Sequence, residues 1–316
     1  MATYESTINS IKSPQDCFNL RIKLIREIEQ LTKRRLLVYV SDFRKPNNDI
    51  NPEDKIGFSD LTENVDEPDV DILINSAGGS AEVAESLVGI IRSKYNSVRF
   101  AVPNSAKSAA TLLCLSGNQL LMDHRSELGP IDPQISYPTN DGRKQEAVED
   151  ILEGFEETKK FLAEQGPAAI PAYVPLLSKY TIGLLKGCEN AKELSATLAE
   201  KWLAEYMFKD GDDPDKPKKV KEYFTSRKHT HSHSRPILID KCLELGMNVV
   251  DLRRDENKAL ASKLWQLWCL YALHFERSPV YKIYENSSGS SLQFAIQVVK
   301  VPLPKGPPRG PIQLPK

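Results

Sequence analysis

The sequence predicts an α/β fold built on a parallel sheet, and three observations carry that prediction. Short apolar runs recur at "RLLVYVSDF" (35–43), "VDILINS" (70–76), "SVRFAV" (97–102) and "QLLMD" (119–123). Segments with helical spacing of apolar residues lie between them, such as "AEVAESLVGIIRSKY" (81–95) and the stretch after Val102. The alternation leaves connections long enough for crossovers, which join parallel strands.

The elements follow in order. Residues 13–34, "SPQDCFNLRIKLIREIEQLTKR", place Leu20, Ile22, Leu24, Ile25, Ile28 and Leu31 on a helical pattern behind a Ser-Pro start. Residues 44–70 are polar and hold three prolines, which predicts an insertion or surface loop. Beyond Lys144 the character turns helical: "QEAVEDILEGFEETKKFLAEQ" (145–165) is strongly periodic, and helical signals run on to Phe208. "KDGDDPDKPKKV" (209–220) reads as a charged turn, and "PILIDKCLELG" (236–246) as a short helix stopped by Gly246. The last 16 residues contain six prolines and predict an extended or disordered tail, of a kind that partner grooves bind.

Composition narrows the function classes. The 42 Lys and Arg nearly cancel the 43 Asp and Glu, so no net field draws the 316-residue chain to nucleic acid or anionic membrane. The five cysteines are scattered and without CxxC spacing, which points away from a disulfide framework or structural zinc and towards a reducing compartment. "MATYESTINSIKSPQDC" has no signal-peptide core, and the longest apolar run, 264–275, is too short to span a bilayer. A soluble, cytoplasmic protein is the expectation.

Two motifs bear chemistry. In "LINSAGGSAEVAE" a strand ends in Asn-Ser-Ala-Gly-Gly and runs into a helix. This is a tight turn, a phosphate cradle, or an oxyanion site in which the Gly79 N–H meets a developing O⁻. Neither GxGxxG nor GxxxxGK[ST] is present to favour phosphate. In "VPNSAKSAATLL" (102–113) Ser108 falls at a helix start on the same sheet edge as Gly79, the carboxyl edge where open α/β sheets bind ligands. The helix's positive end favours negative charge there, and the Ala109 N–H is a second oxyanion donor. Ser105 has the chemistry of the helix cap.

The pair "INSAGG" and "AKSAATLL" resembles the ClpP/SppA class of serine peptidases. The stretches "LGPIDPQI" (128–135) and "HSHSRPILIDKCLELGMNV" (231–249) resemble the serine dehydrogenase proteinase family of that clan. The resemblance covers roughly residues 35–250 and implies a ClpP/crotonase-like spiral of parallel ββα units with additional C-terminal helices. On that reading residues 1–34 form an N-terminal helix, 35–250 the peptidase domain, 251–300 a helical and strand extension, and 301–316 the proline-rich tail. It implies a serine endopeptidase acting on peptides or unfolded segments, a homo-oligomer, and no metal or cofactor. Three positions depart from the family pattern: Ala77 stands for a proline, Lys107 for a methionine or small residue, and Ala110 for a glycine. The last two are expected to narrow the site.

The family's Ser, Asp, His order carries over to Ser108, Asp132 and His233, the histidine three residues before Pro236. Other readings stay open. Asp132 is also an ordinary turn aspartate before Pro133, and His229, His231 and His233 an exposed loop or one face of a zinc site. Lys144 is the alternative base, as in the Ser-Lys dyads of SppA-type relatives. His124 reads as solvated. The rival functions are a catalytically inactive scaffold of the same fold and a crotonase-like acyl-thioester enzyme.

Overall fold

The structure is a computed structural model that describes residues 3–139 and 142–297, with side chains except at 137–139 and 142–144. The proline-rich tail lies outside the described residues. Along the chain come α1 (Thr3–Ser10), α2 (Pro14–Thr32), β1 (Arg35–Ser41), α3 (Asp54–Thr62), β2 (Asp69–Asn75), α4 (Ala81–Lys94) and β3 (Ser97–Ala101). Then follow β4 (Ser105–Ala106), α5 (Ala109–Leu115), β5 (Gln119–Met122), β6 (Glu127–Leu128), β7 (Gln134–Thr139), β8 (Gly142–Ala147) and α6 (Val148–Gln165). The remainder is α7 (Ile170–Leu177), α8 (Ile182–Trp202), α9 (Lys216–Thr225), α10 (Arg227–Thr230), β9 (Ile237–Leu238), α11 (Ile239–Glu244), β10 (Val249–Asp251), α12 (Lys258–Arg277), β11 (Val280–Asn286) and β12 (Ser291–Ala295).

The central sheet has the order β10-β5-β3-β2-β1-β11-β12. Neighbours from β10 to β1 are parallel, and β11 adds antiparallel to β1, with β12 antiparallel beyond it. Side chains alternate across it as strand geometry requires. Leu36, Val38 and Val40 of β1 join Ile25 of α2 and Leu267 of α12 in one apolar layer. Leu37 and Tyr39 face the opposite layer with Phe58, Leu87 and Leu113. Burial on both faces is what makes the strands read as continuous apolar runs, and each fully buried large aliphatic contributes about 1.5–3 kcal/mol.

Two expectations are corrected. The polar stretch 44–70 is not only loop, because α3 forms inside it and buries Phe58 and Leu61. Its signal was hidden because its partners come from far along the chain. The buried Asp54 carboxylate bonds Lys282 and Tyr284 of β11, and a Cβ at Gly57 would stand 2.3 Å from the Tyr284 ring. The helix expected over 145–165 begins instead at Val148, since residues 142–147 pair with β7 as a hairpin. Among the described residues no single helix is long and apolar enough to cross a membrane.

α2 and α12 also enclose a polar cluster. Arg21 pairs with Glu285, and its guanidinium donates towards Nδ1 of His274, whose Nε2 faces Gln293. Burial lowers the His274 pKa from 6.5; Arg21 and Lys45 act the same way, against Gln293 and Glu285. The unfolded chain therefore binds more protons than the native one just below pH 6.5, so stability falls on acidification through that window. Replacing His274 by Gln is expected to flatten this part of the stability–pH curve in denaturant titrations.

Candidate active site

The turns after β2 and β3 are stitched together at the carboxyl edge of the sheet. The Ser76 N–H donates to Ser105 O at 3.1 Å and the Lys107 N–H to Ser76 O at 3.0 Å, while the Asn75 side-chain oxygen accepts the Ser105 N–H. The seam brings Gly78 against the start of α5. A Cβ at Gly78 would lie 2.4 Å from Lys107 O, 2.7 Å from Ser108 Cβ and 2.9 Å from Ala109 N, and its φ is +91°. Glycine is required here for closeness as well as for conformation. Gly78→Ala is expected to cost about 2–4 kcal/mol in unfolding free energy through overpacking and strain. Activity should fall with it even at temperatures where the variant is folded.

Ser108 itself holds φ 51° and ψ −122° at the cap position of α5, with no cap bond from its side chain. That region suits glycine, so a serine there is strained, as in the strand-turn-helix elbows that expose nucleophiles. The expected cap, Ser105, is in β4 instead. The backbone of 105–107 is committed to Ser76 and to β6, so the helix starts three residues later than Ser105 would place it. Thr111 braces the elbow, donating to Ala106 O at 2.7 Å and accepting the Gly129 N–H at 2.9 Å.

A second sheet gathers the remaining groups. β6 lies between β4, its parallel neighbour, and β9, which runs antiparallel. Ser108 follows β4 by two residues, Asp132 follows β6 by four, and His233 precedes β9 by four. Three segments far apart in sequence thereby converge. Asp132 is 2% exposed, and its Oδ1 accepts from His233 Nδ1 at 2.8 Å. Its Oδ2 accepts from Gln134 Nε2 at 3.0 Å, with Arg227 Nη1 3.7 Å away. His233 shares with Ser108 a cavity of about 360 Å³, lined also by Gly78, Gly79 and Ala109 and by Leu194 and Ser195 of α8. Among the described residues the Ser108 hydroxyl and His233 Nε2 make no hydrogen bond, and neither the Gly79 nor the Ala109 N–H donates one.

The other candidate histidines lie on the surface. His229 stacks on Tyr223, while His231 and His124 are exposed. Among the described residues no group of three or more His, Cys, Asp or Glu is placed to hold a metal ion. Lys144 belongs to β8, but its side chain lies outside the described residues. Lys107 does not narrow the cavity as expected: its ammonium pairs with Glu127 at 2.7 Å and donates to Leu128 O at 3.2 Å, along β6. Ala110 is fully buried and does not line the cavity either. Arg227 was not legible as a site residue in the sequence. It lies next to Asp132 only because α10 packs there, and its Nε also pairs with Asp150 of α6.

The chain is 32% identical over 143 residues to the uncharacterized protein MJ0137 of Methanocaldococcus jannaschii, covering 43% of this chain and 48% of that protein. It is 24% identical over 203 residues to MJ1495, also uncharacterized and from the same organism, covering 64% and 56%. The chain thus spans about half the length of the curated relatives it matches. Among solved structures, a mutant of 1510-N membrane-bound stomatin-specific protease is 15% identical with a TM-score of 0.40, covering 68% of this chain and 80% of that one. A ClpP1 mutant from Listeria monocytogenes is 13% identical with a TM-score of 0.34, covering 73% and 99%. Over residues 60–206, which include Gly78, Gly79, Ser108 and Asp132, the chain matches the model of the ClpP-like SDH-type serine proteinase family.

Proposed function

We propose that the protein is a serine peptidase that cleaves peptides or unfolded segments through an acyl-enzyme on Ser108. The family match supports a peptidase. The observation that carries the finer reading is the strained Ser108 sharing one cavity with a histidine bonded to a buried aspartate. With the Asp132 carboxylate accepting from Nδ1–H, the His233 Nε2 lone pair is the base that takes the Ser108 proton as Oγ attacks the carbonyl carbon. The carbonyl electrons move onto its oxygen, where the free Gly79 and Ala109 amides are the oxyanion donors. On collapse the C–N bond breaks and the amine leaves with the proton held on Nε2. Water, deprotonated by the same nitrogen, then hydrolyses the ester and restores Ser108.

The test is covalent. A fluorophosphonate probe should label the folded protein, not the denatured one, and mass spectrometry should find the adduct on Ser108. Absence of labelling in the folded protein would sink the peptidase reading and leave a scaffold of the same fold.

We further propose a homo-oligomer joined through the α6–α8 region. From Phe161 to Ile182 the large apolar side chains Phe161, Ile170, Val174, Leu176 and Ile182 are exposed, Ile182 at 88%. Exposed large apolar side chains concentrated in one stretch of chain support an interaction surface there. Ile182→Asp together with Val174→Asp is expected to reduce the mass measured by light scattering to that of one chain, and a wild type that is already monomeric overturns this.

A further inference from the structure

The Gly78–Gly79 turn is bonded to a strap, residues 49–51, that lies outside the segment matching the family model. In a trans peptide the C=O of one residue and the N–H of the next lie in one plane and point opposite ways. Gly78 O accepts the Ile50 N–H at 2.7 Å, so the Gly79 N–H is turned away from Ile50. A second bond, from Ser80 N to Ile50 O at 2.9 Å, holds the next peptide against the same residue, so Ile50 grips Gly79 from both flanks of the turn. The fit is close enough that a Cβ at Gly79 would lie 2.3 Å from Ile50 O and 2.5 Å from Ile50 N.

What holds the strap is buried charge. Asp54 at the start of α3 accepts the Asn51 N–H at 2.7 Å and Lys282 Nζ at 2.8 Å on Oδ2, and the Tyr284 hydroxyl on Oδ1. Asp54 and Lys282 are both 0% exposed. A fully buried ion pair adds little net stability against an apolar replacement, so stability alone is a weak account of it. Lys282 and Tyr284 belong to β11, the antiparallel neighbour of β1, so the carboxylate ties the central sheet to the strap one residue from Ile50.

We propose that Asp54, held by Lys282 and Tyr284, is a positioning residue that fixes the direction of the Gly79 amide through the strap 49–51. The inference rests on Gly79 being an oxyanion donor, as proposed above. It assigns residues 50, 54, 282 and 284 to the site's machinery, although none touches the substrate.

The experiment measures the rate of fluorophosphonate labelling of the full chain, with thermal unfolding alongside, for wild type, Asp54→Asn and Tyr284→Phe. A misaimed oxyanion donor should slow labelling by about 10- to 100-fold, short of the about 10²–10³-fold expected for complete loss of a donor. For a hydrolysed peptide ester, kcat should fall while KM stays within about twofold, since the cavity walls are untouched. A purely structural role would lower the melting temperature and leave the labelling rate of the folded fraction at the wild-type value, which overturns the proposal. Tyr284→Phe removes one hydroxyl and serves where Asp54→Asn fails to fold. Failure of the wild type itself to label counts against the peptidase reading, whereas a labelled wild type with equally fast, folded variants counts against the strap alone.

Discussion

Ser108→Ala is expected to abolish labelling and hydrolysis yet unfold within about 0.5 kcal/mol of the wild type. Ser108→Gly should be equally inactive and more stable than either. Both expectations come from the backbone. The Ser108 hydroxyl makes no hydrogen bond among the described residues, so removing it breaks no bond that holds the fold. At φ 51° and ψ −122° any residue with a Cβ carries strain, and alanine inherits it. Glycine relieves about 1–3 kcal/mol of strain and gives back about 0.5–1 kcal/mol in unfolded-chain entropy, so the net gain should be about 1 kcal/mol. Urea unfolding of the three proteins measures it. A destabilised Ser108→Gly would mean that the elbow is not strained, and that its backbone is simply where α5 begins.

The expense of the elbow is met by neighbours that local sequence shows unevenly. Ser108 and Gly79 were legible because each sits where a strand becomes a helix, and the order of apolar runs locates both ends on one edge of a parallel sheet. Asp132 and His233 were legible only through resemblance. They are 101 residues apart, and what joins them is a second sheet of two-residue strands too short to leave a pattern of alternation. Ser105 misled for the opposite reason: its chemistry suits a cap, but tertiary pairing with Ser76 claimed its backbone first. The same holds for α3, whose polar surface hid a helix held by β11 from more than two hundred residues away. Lys107 looked like an obstruction in the linear motif, but its ammonium is drawn along β6 to Glu127. Local chemistry pointed to candidate residues, while long-range pairing decided which of them share a cavity.

The Asp132–His233 pair sets the second large effect. His233→Ala should slow labelling and peptide hydrolysis by about 10²–10⁴-fold, the usual worth of a positioned base, while leaving the unfolding transition close to wild type because the ring is partly exposed. Asp132→Asn should cost a similar factor by a different route. The carboxylate can only accept, which obliges His233 to carry its proton on Nδ1 and leaves Nε2 free to take one. An amide at 132 can turn its NH₂ towards Nδ1, which stabilises the tautomer with Nε2 protonated and unable to act as a base. Because the second defect operates only through the first residue, the two should not add. His233→Ala combined with Asp132→Asn should be no slower than His233→Ala alone, whereas independent contributions would multiply. Multiplying effects, or an Asp132→Asn enzyme of wild-type rate, would return Asp132 to its alternative as a turn residue before Pro133. In that case the base must be sought elsewhere, and Lys144→Ala is the next substitution to make.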